Sequence, residues 1–205
     1  MNARAVSLVC VMALLLGGCC KNCEQGGKAA GLKLPAFMVE TAAKGTAVKA
    51  KLSVRPDGTI RKCSMYVKAE ALPDWVQAAA DERVGKGEHK EAEIEQYEDG
   101  KLVYEVTRLV QGQTVEVAVG EDRKVVYVEK ETRLEEIPDA VKAASAAVAG
   151  FKAEEAEVKE VADSKEFEVE GEADGVSWEV MVDAAGKVIG KSREVPAELM
   201  LDLVN

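Results

Sequence analysis

The sequence predicts an α+β fold made of tandem units, each one helix packed on a three- to four-stranded antiparallel sheet. Three observations predict it. The chain repeats itself: Leu72-Pro73-Asp74-Trp75-Val76 returns as Ile137-Pro138-Asp139-Ala140-Val141, and Tyr104-Glu105-Val106 returns at nearly the same offset as Phe167-Glu168-Val169. Within each repeat the apolar spacing switches from helical to strictly alternating. Short Gly/Asp segments then break the alternating stretches at hairpin spacing.

Residues 1–18 read as a lipoprotein signal peptide, with Arg4 as its positive start and an apolar run from Val6 to Leu16. That run is too short to span a bilayer. Leu16-Gly17-Gly18-Cys19 resembles the bacterial lipobox, which implies that Cys19 is acylated and becomes the first residue of the mature chain. An acidic chain gains nothing from an anionic leaflet, so the acyl chains are its membrane attachment. Cys20, standing where Asp would direct inner-membrane retention in enteric bacteria, favours the outer membrane, facing the periplasm.

Residues 19–33, rich in Gly, Lys, Ala and Glu, form a flexible tether. A shortened unit follows at 34–71, where Val54-Arg55-Pro56-Asp57-Gly58-Thr59-Ile60 precedes the strand-turn-strand segment 119–125 by the same offset that separates the two Pro-Asp helix starts. Full units span 72–136 and 137–205, the second ending in a closing helix over 195–205. Pro73 and Pro138 open the helices at the turn where a missing N–H costs nothing, and Asp74 and Asp139 favour the positive end of the dipole. Ile137, Val141, Ala144 and Val148 make one apolar stripe. Leu102, Tyr104, Val106, Arg108 and Val110 alternate with their neighbours, as do Val115, Val117 and Val119. The tight connections are 98–101, 110–113, 120–123 and 183–186.

Tyr104-Glu105-Val106, the hairpin around 115–129, the Leu134-Glu135-Glu136-Ile137-Pro138 helix start, and the run from Trp178 to Val188 resemble the PepSY-like domains of secreted and membrane-attached bacterial proteins. The resemblance covers roughly 72–194. It implies an α+β module, often duplicated, associated with inhibiting or modulating extracytoplasmic enzymes and with binding at the envelope. The tandem architecture is also similar to that of the proteinaceous β-lactamase inhibitors. The chain departs from the pattern in its truncated first unit and in Ala162-Asp163-Ser164, where other units turn on Asp-Gly.

With 27 basic and 37 acidic side chains the chain carries a formal charge of −10, and no clustered basic patch that would neutralise phosphates, so nucleic acid is excluded as a partner. The single histidine, His89, sits among Gly and charged residues in a helix-to-strand connection and has no zinc partners at ligand spacing. Ser145 and Ser177 lack a neighbouring base. These features predict no catalytic residues, no metal and no cofactor. Glu91, Glu93 and Glu95, and likewise Glu166, Glu168 and Glu170, share strand faces and read as outward, solvated rows, with weak calcium binding or capture of a basic partner as the alternatives. Trp178 reads as core. Trp75 falls off its helix stripe, either as a partner anchor or buried under the first unit. Cys20 and Cys23, spaced CxxC in the tether, are left with Cys63 as three thiols: a local disulfide or unstructured thiols, a crosslink, or metal or redox chemistry all fit. The expected function is a non-catalytic binding or inhibitory module for an envelope protein, set against a structural envelope lipoprotein without a specific target and, last, a hydrolase.

Overall fold

The computed structural model describes Val39 and residues 49–196. They do not form tandem α+β units. Among the described residues, ten strands run antiparallel in chain order and close into one barrel, with two short α-helices outside it. The strands are β1 (Lys49–Val54), β2 (Ile60–Tyr66), β3 (Glu88–Tyr97), β4 (Leu102–Val110), β5 (Gln113–Gly120), β6 (Val125–Thr132), β7 (Lys152–Val161), β8 (Ser164–Ala173), β9 (Val176–Asp183) and β10 (Val188–Pro196). Helix α1 (Asp74–Val84) lies between β2 and β3, and α2 (Asp139–Ala146) between β6 and β7.

The correction lies in what the strand edges do. Two separate sheets would leave edges whose N–H and C=O groups have no partner. Here β6 pairs with β7, from Val128↔Glu160 to Thr132↔Ala156, and β10 pairs with β1, from Lys49↔Pro196 to Val54↔Lys191. Every edge among the described residues is thereby used. Strand β10 also takes in Val195 and Pro196, so the closing helix predicted from 195 does not start there; residues 197–205 lie outside the described residues.

Closure needs curvature, and register shifts supply it at Ser53/Val54, His89/Glu91, Ala118/Val119, Ala153/Glu155 and Val188/Gly190. The β4–β5 and β8–β9 turns place two consecutive residues in the left-handed region, Gln111-Gly112 and Asp174-Gly175, the hairpin geometry that matches strand twist. At Gly171 a Cβ would sit 2.0 Å from the Lys152 carbonyl oxygen, so only glycine lets β8 pass β7 this closely.

Residues opposite one another in an antiparallel ladder share a face, so the register assigns every side chain a side. Leu52, Cys63, Met65, Ile94, Val106, Val117 and Val119 look outward and form an apolar cluster with Leu72, Val76 and Ala80 at α1, against which Val39 also packs. Ala156, Phe167, Val169, Val180 and Val182 form a second cluster with Ile137 and Val141 at α2, and Trp178 packs against both. The hydrophobic core is therefore outside the barrel, beneath the helices. Each aliphatic side chain buried there contributes about 1.5–3 kcal/mol. Among the buried residues of the outward face one is charged: Arg108, 1% exposed, pairs with Asp81 and donates to Gln77 Oε1 at 2.7 Å, tying α1 to β4.

Candidate functional site

A ten-stranded barrel is wider than the eight-stranded kind that side chains just fill, and this one is filled with long polar side chains. The inward rows are Lys51 and Ser53 on β1, Lys62 and Ser64 on β2, Glu93 and Glu95 on β3, Glu105 and Thr107 on β4, and Glu116 on β5. They continue with Tyr127 and Glu129 on β6, Glu157 and Lys159 on β7, Glu168 on β8, Glu179 and Met181 on β9, and Ser192 on β10. Three lysines hold this lumen together. Lys51 Nζ lies 2.8 Å from Glu179 and 3.7 Å from Glu93; Lys62 pairs with Glu95; Lys159 Nζ lies 2.6 Å from Glu129 and 3.4 Å from Glu168. Tyr97 donates to Glu95 at 3.1 Å, the Tyr127 hydroxyl donates to Glu105, and Ser192 donates to Glu179 at 2.6 Å.

Carboxylates outnumber lysines here, and the protonation states divide accordingly. Burial alone would discharge Lys51, Lys62 and Lys159, but their glutamate neighbours outweigh it and hold all three above the ordinary lysine range. Against the same burial, Lys62 and Lys159 keep Glu95 low, and Lys159 with a hydrogen bond from Glu179 keeps Glu168 low. The remaining acids lose that contest. Burial raises Glu93 and Glu129 to about 7 despite Lys51 and Lys159, and raises Glu157 to about 9 with Glu129, Glu168 and Glu170 adding to it. Glu116 and Glu179 are pushed well up by burial and carboxylate neighbours.

The lumen opens at both ends. At the end carrying the β3–β4, β5–β6 and β7–β8 turns, a cavity of about 630 Å³ has Tyr97, Tyr127, Val103 and Val161 in its lining and Arg61 beside Met181 and Glu166. At the other end a smaller, acidic cavity of about 190 Å³ is lined by Glu91, Glu93, Glu116, Glu157, Glu168, Glu170, Glu179 and Glu194, with Lys51, Tyr66, Ser177, Trp178 and Arg193.

The structure moves the predicted acidic rows from the outside of a sheet to the inside of a barrel. Glu93 (5% exposed), Glu95 (0%) and Glu168 (7%) are buried, Glu166 and Glu170 are half-buried, and Glu91 alone is exposed. The reason is that the outward face is already occupied by the apolar residues under the helices. Glu91, Glu93, Glu168 and Glu170 do meet, at the acidic mouth; Glu95 lies deeper and Glu166 belongs to the opposite mouth. Trp75 is half-buried, edge-to-face with Tyr104 at 5.2 Å and with Arg123 over its ring. His89 is exposed but belongs to strand β3 rather than to the preceding connection. Cys63 is a free thiol, 2% exposed in the outer apolar cluster, where burial pushes it up to about 12; Cys19, Cys20 and Cys23 lie outside the described residues.

Sequence reasoning missed Lys51, Lys62, Lys159, Glu105, Glu116, Glu129 and Glu179. Their signal was present as charged residues of both signs alternating with Val, Leu and Ala on most strands. It pointed to a second buried face only if the sheet was known to close. One carboxylate oxygen from each of Glu93, Glu95 and Glu105, and likewise of Glu105, Glu116 and Glu129, lies within 4.8 Å of its companions, a spacing that could hold a cation.

No protein-family model matches this chain, and no curated protein matches it. Among solved structures it is similar to a DUF2874 family protein from Bacteroides ovatus, at 15% identity and a TM-score of 0.42 over 60% of this chain and 87% of that one. It is similar also to a DUF2874 family protein from Bacteroides uniformis (18%, 0.42, over 61% and 89%) and to a BLIP-like protein from Bacteroides fragilis (19%, 0.39, over 61% and 89%). Likenesses this distant carry no argument about what the lumen binds.

Proposed function

We propose that this chain is a non-catalytic binding module of the bacterial envelope, tethered by acylated Cys19 on the periplasmic side, which takes a basic side chain of an extracytoplasmic protein into its acidic mouth. The observation that supports this is the convergence of eight glutamates around a cavity of about 190 Å³. That volume is below the roughly 300–1,000 Å³ of drug-sized ligand sites and suits one lysine or arginine side chain.

Trp178 lines the mouth and reports on it. In a Trp75→Phe background, a lysine tripeptide is expected to change Trp178 fluorescence saturably at low ionic strength. Glu91→Gln with Glu170→Gln should weaken that binding about tenfold, and salt should suppress it as the Debye length falls from about 30 Å to about 8 Å. No saturable change, or equal binding of a glutamate tripeptide, sinks the proposal. The tether is checked separately: Cys19→Ala is expected to abolish incorporation of a fatty-acid label and release the protein from membranes, and retained label would show that Cys19 is not the acylated residue.

A further inference from the structure

We propose that the lumen binds one divalent cation of the calcium type at Glu105, Glu116 and Glu129. This does not rest on capture of a basic side chain, since Glu105 and Glu129 lie deeper than the acidic mouth and only Glu116 is common to both places. The three carboxylates supply oxygens all within 4.8 Å of one another. Oxygens this close can share one cation, and calcium, with distances of about 2.3–2.6 Å and a flexible coordination of about six to eight oxygens, tolerates an irregular carboxylate set better than magnesium, which requires a near-ideal octahedron. An all-oxygen donor set also favours such hard cations over zinc or copper.

Two buried atoms show that the lumen's polar groups are incompletely matched by protein. Glu129 gives Oε2 to Lys159 at 2.6 Å, but its Oε1 is enclosed and has no partner among the described residues. Ser64, fully buried and directly opposite Glu95 on the inward face, leaves its Oγ without a partner as well. Buried polar atoms of this kind call for a water or an ion. Charge separates the two. The Glu93–Glu95–Glu105 triad has two lysines beside it, Lys51 and Lys62, whereas the Glu105–Glu116–Glu129 triad has only Lys159, on Glu129; Glu116 accepts from Thr107 Oγ1 at 3.2 Å and pairs with no lysine among the described residues. The carboxyl groups that no lysine pairs with therefore lie on the Glu116 side, where a bound cation would replace the proton that burial favours. Tyr127, which donates to Glu105, fixes that carboxylate between both triads and places a fluorophore against the site.

The test uses the full mature protein stripped with a chelator. Calcium at about a hundredfold its Kd is expected to raise Tm by about 5–10 °C. Terbium should luminesce when excited through tyrosine, and calcium should displace it. Glu105→Gln keeps the shape of the side chain and removes its charge, and should abolish both responses; Glu154→Gln, exposed on β7, should keep both. If Glu105→Gln does not fold, Glu116→Gln read by terbium serves instead. A Tm rise matched by sodium chloride at equal ionic strength, absence of terbium luminescence in the wild type, or an undiminished response in the folded variant each overturns the site.

Discussion

Replacing Lys159 with methionine is expected to destabilise the protein by about 3–5 kcal/mol and to lower its melting temperature by about 6–20 °C. Lys159 is buried, 2.6 Å from Glu129 and 3.4 Å from Glu168, with its ammonium 4.3 Å from the centre of the Tyr127 ring. Methionine preserves the length and apolar stem but removes the one charge that two buried carboxylates share. An exposed pair such as Lys101–Asp99 at 2.6 Å contributes little, because water screens it and the side chains lose freedom in forming it. In the lumen the larger part of the loss comes from stranding Glu129 and Glu168 rather than from the attraction removed. Adding Glu168→Leu to Lys159→Met should therefore recover stability, and the double-mutant cycle in urea measures how much. A single-variant loss below about 1 kcal/mol would show that the lumen is wet and its ion pairs behave as surface ones.

Much of the local structure was legible because it is encoded locally. Pro73-Asp74 and Pro138-Asp139 start both helices, the alternation from Leu102 to Val110 is strand β4 with the same limits, and the 98–101, 110–113 and 183–186 segments are turns. What was not legible depends on long-range pairing. Alternation says that Glu93 and Ile94 face opposite ways, and both are buried, Ile94 outward in the apolar cluster beneath α1 and Glu93 inward in the lumen. A sequence rule that equates the polar face with solvent reads one side correctly and inverts the other. The same holds for Lys62 beside Cys63, where the lysine is the inward residue and the thiol the outward one. Closure itself rests on β6 meeting β7 and β10 meeting β1, and the repeat that brings Leu72-Pro73-Asp74 back as Ile137-Pro138-Asp139 is equally compatible with two open sheets. The acidic rows were therefore found as residues but misplaced as a surface, and the lysines that balance them were invisible until the strands carrying them were brought together.

The charge imbalance of the lumen makes stability fall as pH rises from about 5 to about 8, by about 3–5 kcal/mol in the presence of a chelator. Glu93 faces Lys51, Lys62, Glu95 and Glu105, and burial moves it from 4.5 to about 7; Glu157 faces Glu129, Glu168, Glu170 and Lys159, and burial moves it to about 9. A carboxyl whose pKa is higher folded than unfolded holds its proton more tightly in the native state. Its stabilising share is complete below the unfolded value of 4.5 and is lost as pH climbs through the folded value, so these two groups act across about pH 4.5 to 9. Glu95 and Glu168 act in the opposite sense: their lowered values give stability that is present above 4.5 and lost only in stronger acid. Lys51, Lys62 and Lys159, raised by their carboxylate neighbours, contribute fully below 10.5 and are indifferent to the window between. The maximum therefore falls near pH 5, between the loss of Glu95 and Glu168 on the acid side and the ionisation of Glu93 and Glu157 on the other. Urea unfolding at stepped pH measures the curve, and Glu93→Gln, which cannot ionise, should flatten its descending limb. Stability that instead climbs from pH 5 to 8 would mean that these carboxylates are solvated in the folded protein, and the barrel would have to be open enough for water to reach them.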